Sequence, residues 1–244
     1  MNRVAVTELY PMLWEVVRGM GSYNSKRDLL VKEILVKYPK ITLDELTLQL
    51  GVMKGEALIL LRSHRLWYYE VEEELELSRS FRPIYNMGAL GGTFDELHVG
   101  HLALLNTAFR LSKKVIIGVT SDEFASKLMK EGKISPMRER IEELRRTLDK
   151  YGWLSRAEIT QLNDPYGPLL SDERIDMLVT GPITLGRAEE AVNLRVSRGL
   201  PPVALELSPL VLAEDGRPIS STRVRLGEVD RAGRLIACRK QAGQ

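Results

Sequence analysis

Residues 86–119 read NMGALGGTFDELHVGHLALLNTAFRLSKKVIIGV, and this stretch decides the fold. Short apolar runs at 86–90 and 115–119 predict two strands, and the apolar spacing between 99 and 111 predicts a helix that joins them. The alternation continues with strands predicted at 157–162, 176–180 and 203–207, and helices at 137–148 and 187–198. Such alternation predicts an α/β fold with a doubly wound parallel sheet.

Glycines and histidines follow the first predicted strand. Gly91 and Gly92 lie at its carboxyl end, where ligands bind in open α/β sheets and where a backbone without Cβ atoms approaches them closely. The next helix offers unpaired N–H groups and the positive end of its dipole to an anion such as phosphate. His98 and His101 are three residues apart, so both imidazoles lie on one side of its first turn. Because imidazole donates directional hydrogen bonds and becomes cationic near neutral pH, we predict a phosphate site here.

Two other interpretations of these histidines are a metal site and two ordinary residues at a helix start. A metal site lacks further ligands, since no Cys or third His lies nearby in the sequence. The ordinary interpretation explains the spacing but not the order of strand, glycines, Thr93 and helix. We therefore predict no metal bound by histidine.

The first 82 residues have a mainly helical pattern and predict a smaller accessory domain beside an α/β domain at 83–244. The apolar face of its first helix, after Pro11, is predicted to contain Met12, Leu13, Val16, Val17 and Met20. A second helix is predicted at 26–37. A capping box of Thr42 and Glu45 starts a third helix, which ends at Gly51. A helix at 54–65 and a strand at 66–71 complete a pattern that is typical of a helix-turn-helix or winged-helix unit, and 74–77 has a strand-like pattern.

Charge argues against DNA binding by this unit. Residues 1–84 carry 12 Lys and Arg residues and 12 Asp and Glu residues, whereas DNA binding needs clustered positive charge. The helix in the recognition position carries Lys54, Arg62, His64 and Arg65, of which three lie at its far end. We favour self-association or packing against the rest of the chain over DNA binding.

Composition gives no sign of a membrane partner. The 244 residues are 44% apolar and 28% charged with a net charge of +2, so no single-sign field indicates nucleic acid or a membrane surface. The longest strongly apolar run, 57–61, is far too short to span a bilayer, and the amino terminus lacks a signal-peptide pattern. Cys238, the single cysteine, cannot form an internal disulfide. We expect a cytoplasmic protein.

Four motifs together resemble one family of enzymes. TFD at 93–95 with HVGH at 98–101 is similar to the T/HxGH signature of nucleotidyltransferases, which transfer a nucleoside monophosphate from a triphosphate and release pyrophosphate. VIIGVTSDEF at 115–124, DPYGP at 164–168 and ISSTRVR at 219–225 follow in the order of archaeal and eukaryotic phosphopantetheine adenylyltransferases. The resemblance covers residues 85–228. It implies a Rossmann-like domain that transfers the adenylyl group of ATP to 4'-phosphopantetheine in coenzyme A biosynthesis, without a covalent intermediate.

The resemblance also implies roles for individual residues. The catalytic residues would be His98, His101, Lys127 and Arg223. ATP would contact Gly91, Gly92, Thr93, Phe94, His101, Arg195, Ser220, Ser221, Thr222 and Arg223. The acceptor would contact Thr93, Lys127, Asp164 and Tyr166. Lys130 and Lys133 are alternatives to Lys127, and Asp164 alternatively caps its own turn. Arg140 matches a family arginine or forms a surface ion pair with Glu143. Mg²⁺ would arrive with ATP rather than on a protein cluster.

One stretch departs from the family pattern. Relatives usually carry Ser-Glu-Glu-Thr after the strand at 176–180, followed by an asparagine three residues before an arginine. This chain has TGPIT at 180–184, and Asn193 lies two residues before Arg195. Glycerol-3-phosphate cytidylyltransferases and archaeal FAD synthases share the HxGH core, so another acceptor is one alternative. A DNA-binding regulator that uses the α/β domain as a nucleotide sensor is another, and monomer and homo-oligomer both stay open.

Overall fold

Five parallel strands form the central sheet. The computed structural model describes residues 3–127 and 133–236. The strands are β2 (Tyr85–Gly92), β3 (Ser112–Thr120), β4 (Ala157–Leu162), β5 (Met177–Thr180) and β6 (Ala204–Leu207). Their order is β4-β3-β2-β5-β6. The chain winds from β2 to one side and then returns to the other, so the switch point lies at the carboxyl ends of β2 and β5.

Helices cover both faces of this sheet, as in other doubly wound proteins. They are α7 (Val99–Leu111), α8 (Asp122–Lys127), α9 (Met137–Lys150), α10 (Leu185–Ser197) and the short α11 (Ser221–Arg225). The strands β2 and β3 are buried on both faces, and Val115, Ile117 and Val119 have no exposed surface. The predicted parallel α/β architecture is confirmed.

Residues 3–78 are mainly helical. The elements are α1 (Arg3–Gly19), α2 (Tyr23–Leu29) with a π-helical turn (Leu30–Ile34) and α3 (Leu35–Lys37), α4 (Leu43–Leu50), α5 (Lys54–His64), β1 (Arg65–Trp67) and α6 (Val71–Ser78). The predicted capping box is present, since Thr42 and Glu45 each accept the other's main-chain N–H. Gly51 ends α4 in the left-handed conformation with φ 61°.

The buried face of α1 differs from the predicted one. Its buried side chains include Tyr10, Trp14 and Val17, spaced four and three residues apart, and the rings of Tyr10 and Trp14 pack against Phe81. Of the five residues predicted to share the buried face, only Val17 is buried. The others are exposed side chains: Met12, Leu13, Val16 and Met20. Tyr10 and Trp14 occupy the buried face in place of the predicted aliphatic residues, because their larger rings fill the space beside Phe81.

The strand predicted at 66–71 is shorter than expected, and residues 74–77 form a helix although their sequence pattern is strand-like. β1 ends at Trp67, a 3₁₀ turn (Tyr68–Glu70) follows, and 74–77 lie within α6. Three glutamates in the first turn of α6 favour a helix start, and Val71 and Leu75 then share its buried side. β1 pairs in parallel with β7 (Leu210–Leu212), a strand that the sequence did not reveal.

The helical region packs closely against the α/β region. Glu74 of α6 and Arg110 of α7 form an ion pair of 2.9 Å, with side chains that are 7% and 6% exposed. The Asn106 side chain also donates to Ser78 Oγ at 2.8 Å, and both residues are buried. These contacts align α6 along α7. The boundary at residue 82 stays a prediction.

The basic residues of α5 do not form an exposed patch. His64 is buried, while Arg62 and Arg65 are half-buried. The Arg62 side chain lies against Glu73 and Glu74, and Arg65 donates to the Ile41 carbonyl. The exposed Lys54 pairs with Asp44 at 2.7 Å. These basic side chains therefore do not form the cluster of unpaired positive charge that DNA binding requires.

Candidate active site

The turn after β2 carries unusual backbone geometry. Phe94 and Glu96 both have positive φ angles, 52° and 48°, which non-glycine residues adopt at a cost of about 1–3 kcal/mol each. Phe94 has no exposed surface, and its ring lies 5.5 Å from the His101 ring, measured between centroids. Phe94 therefore forms the floor of the site, beneath Gly92, rather than an exposed contact for ATP.

The two histidines cap the amino end of α7. His98 has an extended backbone, and its Nδ1 accepts the N–H of Gly100 at 3.1 Å. His101 Nδ1 accepts the N–H of His98 at 3.4 Å, and the two ring centroids are 4.0 Å apart. Because each Nδ1 is an acceptor, the neutral rings carry their proton on Nε2. The Nε2–H of His98 therefore does not take part in the helix cap.

Burial keeps His98 neutral. The side chain is buried, and the pKa of its imidazole lies well below the usual 6.5, first because of desolvation and then because of His101 and Arg231. The sequence led us to expect imidazoles that become cationic near neutral pH. For His98 this expectation was wrong, because a buried ring beside two basic groups is costly to protonate. His98 therefore acts as a neutral hydrogen-bond donor.

Gly100 has no room for a side chain. A Cβ atom on Gly100 would lie 2.9 Å from Cε1 of His98 and 3.0 Å from Cγ2 of Ile219. Ile219 directly precedes Ser220, which caps α11 by accepting the Arg223 N–H at 3.3 Å. The close packing at Gly100 thus brings the ISSTRVR motif, including Ser221 and Thr222, beside the HVGH motif.

The two arginines of ISSTRVR have different partners. Arg223 donates to Asp215 at 2.7 Å, to Glu228 at 2.9 Å and to the carbonyl of Pro218. Since residues two apart point in different directions on a helix, Arg225 lies on another side and pairs with Asp95 at 2.7 Å. The Arg223 guanidinium stabilises the turn before α11, and Arg225 faces the Thr93 loop; the role of Arg223 in catalysis and ATP binding stays a prediction.

Arg140 connects the loops at the ends of β2 and β3. Its side chain is 1% exposed and donates to the carbonyls of Thr93 at 2.6 Å and Thr120 at 2.9 Å. It also pairs with Asp122 at 3.0 Å and donates to the carbonyl of Ser135. The alternative of a surface pair with Glu143 was wrong. Arg140 holds the backbone of Thr93, which is itself buried.

Arg195 lies at the opposite edge of the sheet. It is in the last turn of α10, which runs back from the end of β5 to the start of β6. Its guanidinium is fully buried and donates to the carbonyls of Pro201, Leu169, Asp172 and Ile175. These carbonyls precede β5 and β6, so Arg195 braces the amino ends of the strands. The predicted contact with a triphosphate is not compatible with this position.

The remaining predicted residues that the structure describes lie on α8 and on loops of the α/β region. Lys127 is exposed and pairs with Glu123 at 2.8 Å. Lys133 is exposed, while Lys130 lies outside the described residues, as does Cys238. Asp164 Oδ1 accepts the N–H groups of Tyr166 and Gly167 at 2.8 and 2.7 Å, which is the turn-capping alternative. Tyr166 is half-buried and packs against the apolar cluster under β2.

Within residues 3–127 and 133–236, no group of three or more His, Cys, Asp or Glu side chains is placed to bind a metal ion. In the same ranges, no helix combines the length and the apolar character needed to cross a bilayer.

Sequence comparisons identify the family. The cytidylyltransferase-like family model matches residues 89–227. A phosphopantetheine adenylyltransferase of Methanopyrus kandleri is 45% identical over 141 residues, which are 58% of this chain and 88% of that protein. Another, of Methanothermobacter thermautotrophicus, is 41% identical over 153 residues, which are 62% of this chain and 90% of the relative. A third, of Archaeoglobus fulgidus, is 38% identical over 150 residues and 98% of its length is covered.

The matched region coincides with the sheet and the two motifs that meet at Gly100. The family model leaves the first 88 residues unmatched, as expected for an N-terminal addition. The chain belongs to the cytidylyltransferase-like nucleotidyltransferases and, within them, to the phosphopantetheine adenylyltransferase family.

Proposed function

We propose that this protein transfers the adenylyl group of ATP to 4'-phosphopantetheine, which yields dephospho-coenzyme A and pyrophosphate. The observation that carries the proposal is the pair of imidazoles at the start of α7, 4.0 Å apart, with both Nδ1 atoms bound to main-chain N–H groups. The relatives of known name support the choice of substrates.

The reaction needs positioning and charge stabilisation more than covalent chemistry. A phosphate oxygen of 4'-phosphopantetheine attacks the α-phosphorus, the bond to the β-phosphate oxygen breaks, and pyrophosphate leaves with that electron pair. The neutral His98 ring donates its Nε2–H to a phosphoryl oxygen, and His101 lies beside it. These donors stabilise the negative charge that develops in the transition state. The proton on Nε2 is retained throughout, and no residue acts as a nucleophile because the phosphate oxygen of the acceptor attacks directly.

The surrounding residues hold this geometry. Arg140 fixes the Thr93 carbonyl, and the Arg225–Asp95 pair fixes the adjacent turn. We propose that Gly91, Gly92 and the amino end of α7 contact the triphosphate, together with Ser220, Ser221 and Thr222 at the start of α11. We propose that Lys127 contacts phosphate after breaking its exposed pair with Glu123, which costs little in water.

We also propose that Mg²⁺ enters with ATP. The donor set around His98 is neutral or basic, and the buried Asp95 is already paired with Arg225. These residues suit a metal held by phosphate oxygens and water rather than by a protein cage. Bound there, Mg²⁺ would neutralise phosphate charge. We propose a cytoplasmic setting for this reaction.

Turnover tests the assignment of substrates. The purified protein is incubated with ATP, Mg²⁺ and 4'-phosphopantetheine, and pyrophosphate and dephospho-coenzyme A are measured separately. We expect equal amounts of both products. Parallel reactions contain CTP with glycerol-3-phosphate, and ATP with FMN. Turnover in one of these reactions, without dephospho-coenzyme A in the first, would show that the acceptor is wrong.

A further inference from the structure

Residues 66–68 of the helical region contact the surroundings of two motifs that are predicted to bind phosphate, HVGH and ISSTRVR. In the parallel pair of β1 and β7, Leu66 is opposite Val211. The carbonyl of Val211 accepts the N–H of Ile219 at 3.0 Å, and Ile219 packs against Gly100 between the two histidines. A path of backbone pairing and side-chain packing therefore runs from Leu66 to the HVGH motif.

Tyr68 reaches the same motif by a second route. Gly233 has a φ of +90°, and a Cβ atom there would lie 2.6 Å from the Cβ of Tyr68 and 3.6 Å from Cγ2 of Val99. The N–H of Val99 donates to the carbonyl of Arg231 at 3.0 Å. The turn at 231–233 is thus enclosed between Tyr68 and the first residue of α7. Arg231 in this turn is one of the basic groups that lower the pKa of His98.

An apolar cluster joins the two routes. Leu66, Val71 and Leu75 from the helical region share it with Ala103 of α7 and with Ile219. Tyr68 and Val99 pack at its border. Tyr68 and Gly233 both lie outside residues 89–227, which the family model matches.

We propose that residues 66–68 position the candidate active site, and that Tyr68 is a positioning residue that acts on His98 through Gly233 and Val99. The proposal rests on the proposed function for its kinetic consequences. A fixed start of α7 matters because a misplacement of about 1 Å at a reacting centre can cost about 100-fold in rate. The helical region is thereby part of the catalytic unit.

Neighbouring tyrosines allow a matched test. Tyr69 is 63% exposed, so Tyr69→Ala controls for the loss of an aromatic ring in the same turn. We expect Tyr68→Ala to lower kcat by about tenfold or more while KM for ATP changes less than about threefold. Tyr68→Phe should restore kcat, since the packing involves the ring and Cβ. Equal kcat values for Tyr68→Ala and Tyr69→Ala would overturn the proposal.

A substitution at Gly233 tests the contact between Tyr68 and Gly233 from the opposite side. Gly233→Ala places a methyl group against Tyr68, whereas Gly199→Ala imposes similar backbone strain, at φ +78°, with nothing within 4 Å. We expect Gly233→Ala to lower kcat and Gly199→Ala to leave it unchanged. This pair decides the question if Tyr68→Ala does not fold. Equal kcat values in both glycine variants count against the proposal.

A readout without turnover separates this proposal from the proposed function. The chain has three histidines, so their imidazole proton resonances can be assigned with His→Gln variants and titrated by NMR. Looser packing in Tyr68→Ala, and displacement of the 231–233 turn by the added methyl group in Gly233→Ala, should raise the pKa of His98 toward 6.5, and the controls should not. An inactive wild-type protein would contradict the proposed function, while an unchanged His98 titration in both variants would contradict the positioning role.

Discussion

Arg225 donates to Asp95 at 2.7 Å, and this pair joins the ISSTRVR motif to the turn after β2 across 130 positions of the chain. The two side chains are 6% and 1% exposed. Asp95 also accepts the N–H of Ser135, so one carboxylate organises three segments around the site. Removing either partner takes the opposite charge away from a buried ionised group, which is strongly destabilising.

We therefore predict that Asp95→Asn and Arg225→Gln each lower the free energy of unfolding by about 3 kcal/mol. The double variant should lose less than the sum, because the two residues stabilise the same contact. Urea unfolding of the three variants measures this coupling. Arg79→Gln is the control: Arg79 is 76% exposed and pairs with an exposed Glu76, so we expect a change below about 1 kcal/mol. Additive losses at Asp95 and Arg225 would contradict the coupling.

Arg140 supports the site from behind the Thr93 loop. We predict that Arg140→Lys lowers kcat by about tenfold or more, because an ammonium group cannot reproduce a planar guanidinium that serves two carbonyls and a carboxylate at once. Arg138→Lys on the exposed side of the same helix is the matched control. Steady-state kinetics with ATP measure both. An Arg140→Lys variant with wild-type kcat would show that the Thr93 loop holds its position without Arg140.

The sequence predicted the parts of this structure that depend on local pattern. The bounds of α7 and the capping box of Thr42 follow from apolar spacing and short-range hydrogen bonds, and both were predicted correctly. The paired histidines were found because their spacing places them on one turn.

The arginines were harder, because their partners are distant in sequence. Nothing in ISSTRVR distinguishes Arg223 from Arg225 until Asp215, Glu228 and Asp95 are placed around the helix. Arg195 was assigned to ATP by motif spacing, but its four carbonyl partners come from loops that only the folded sheet brings together. β7 was missed because its three residues are too short for a periodic signal, whereas the strand predicted at 66–71 overlaps β1 only at residues 66 and 67.

The lowered pKa of His64, the third histidine, predicts that the protein loses stability in acid. His64 is 4% exposed beside Tyr23, and burial, with the nearby Arg27 and Arg18, lowers its pKa from 6.5 to about 3. Below pH 6.5 the unfolded chain therefore binds a proton that the folded chain does not bind. The free energy of unfolding decreases as the pH is lowered through this range. His64 should account for a loss of about 2 kcal/mol between pH 7 and pH 5. Urea unfolding at both pH values should show a smaller loss for His64→Gln. The same loss in both proteins would mean that His64 is protonated within the fold.

We expect Lys127 to be the lysine that contacts a phosphate group of the substrates. It lies on the last described turn of α8, exposed and paired only weakly with Glu123. We predict that Lys127→Ala lowers kcat/KM by about tenfold or more through the loss of a cationic donor. Lys133→Ala tests the alternative lysine, and Lys114→Ala, exposed at the start of β3, is the remote control. A larger loss in Lys133→Ala than in Lys127→Ala would transfer the role to Lys133.

The paired imidazoles give the most direct test of the mechanism. Replacing His98 or His101 by Ala should lower kcat by about 100-fold or more, because each removes a donor to developing charge, while KM for ATP changes less than about threefold. His98→Gln should retain more activity than His98→Ala, since its amide can still donate a hydrogen bond. Because desolvation lowers the pKa of His98 well below its usual value and keeps the ring of the free protein neutral, its titration should not change kcat/KM around neutral pH. Single-turnover kinetics together with direct measurement of ATP binding separate the two effects. Equal losses in turnover and in ATP binding would show that the histidines bind the ground state and do not act selectively in the transition state.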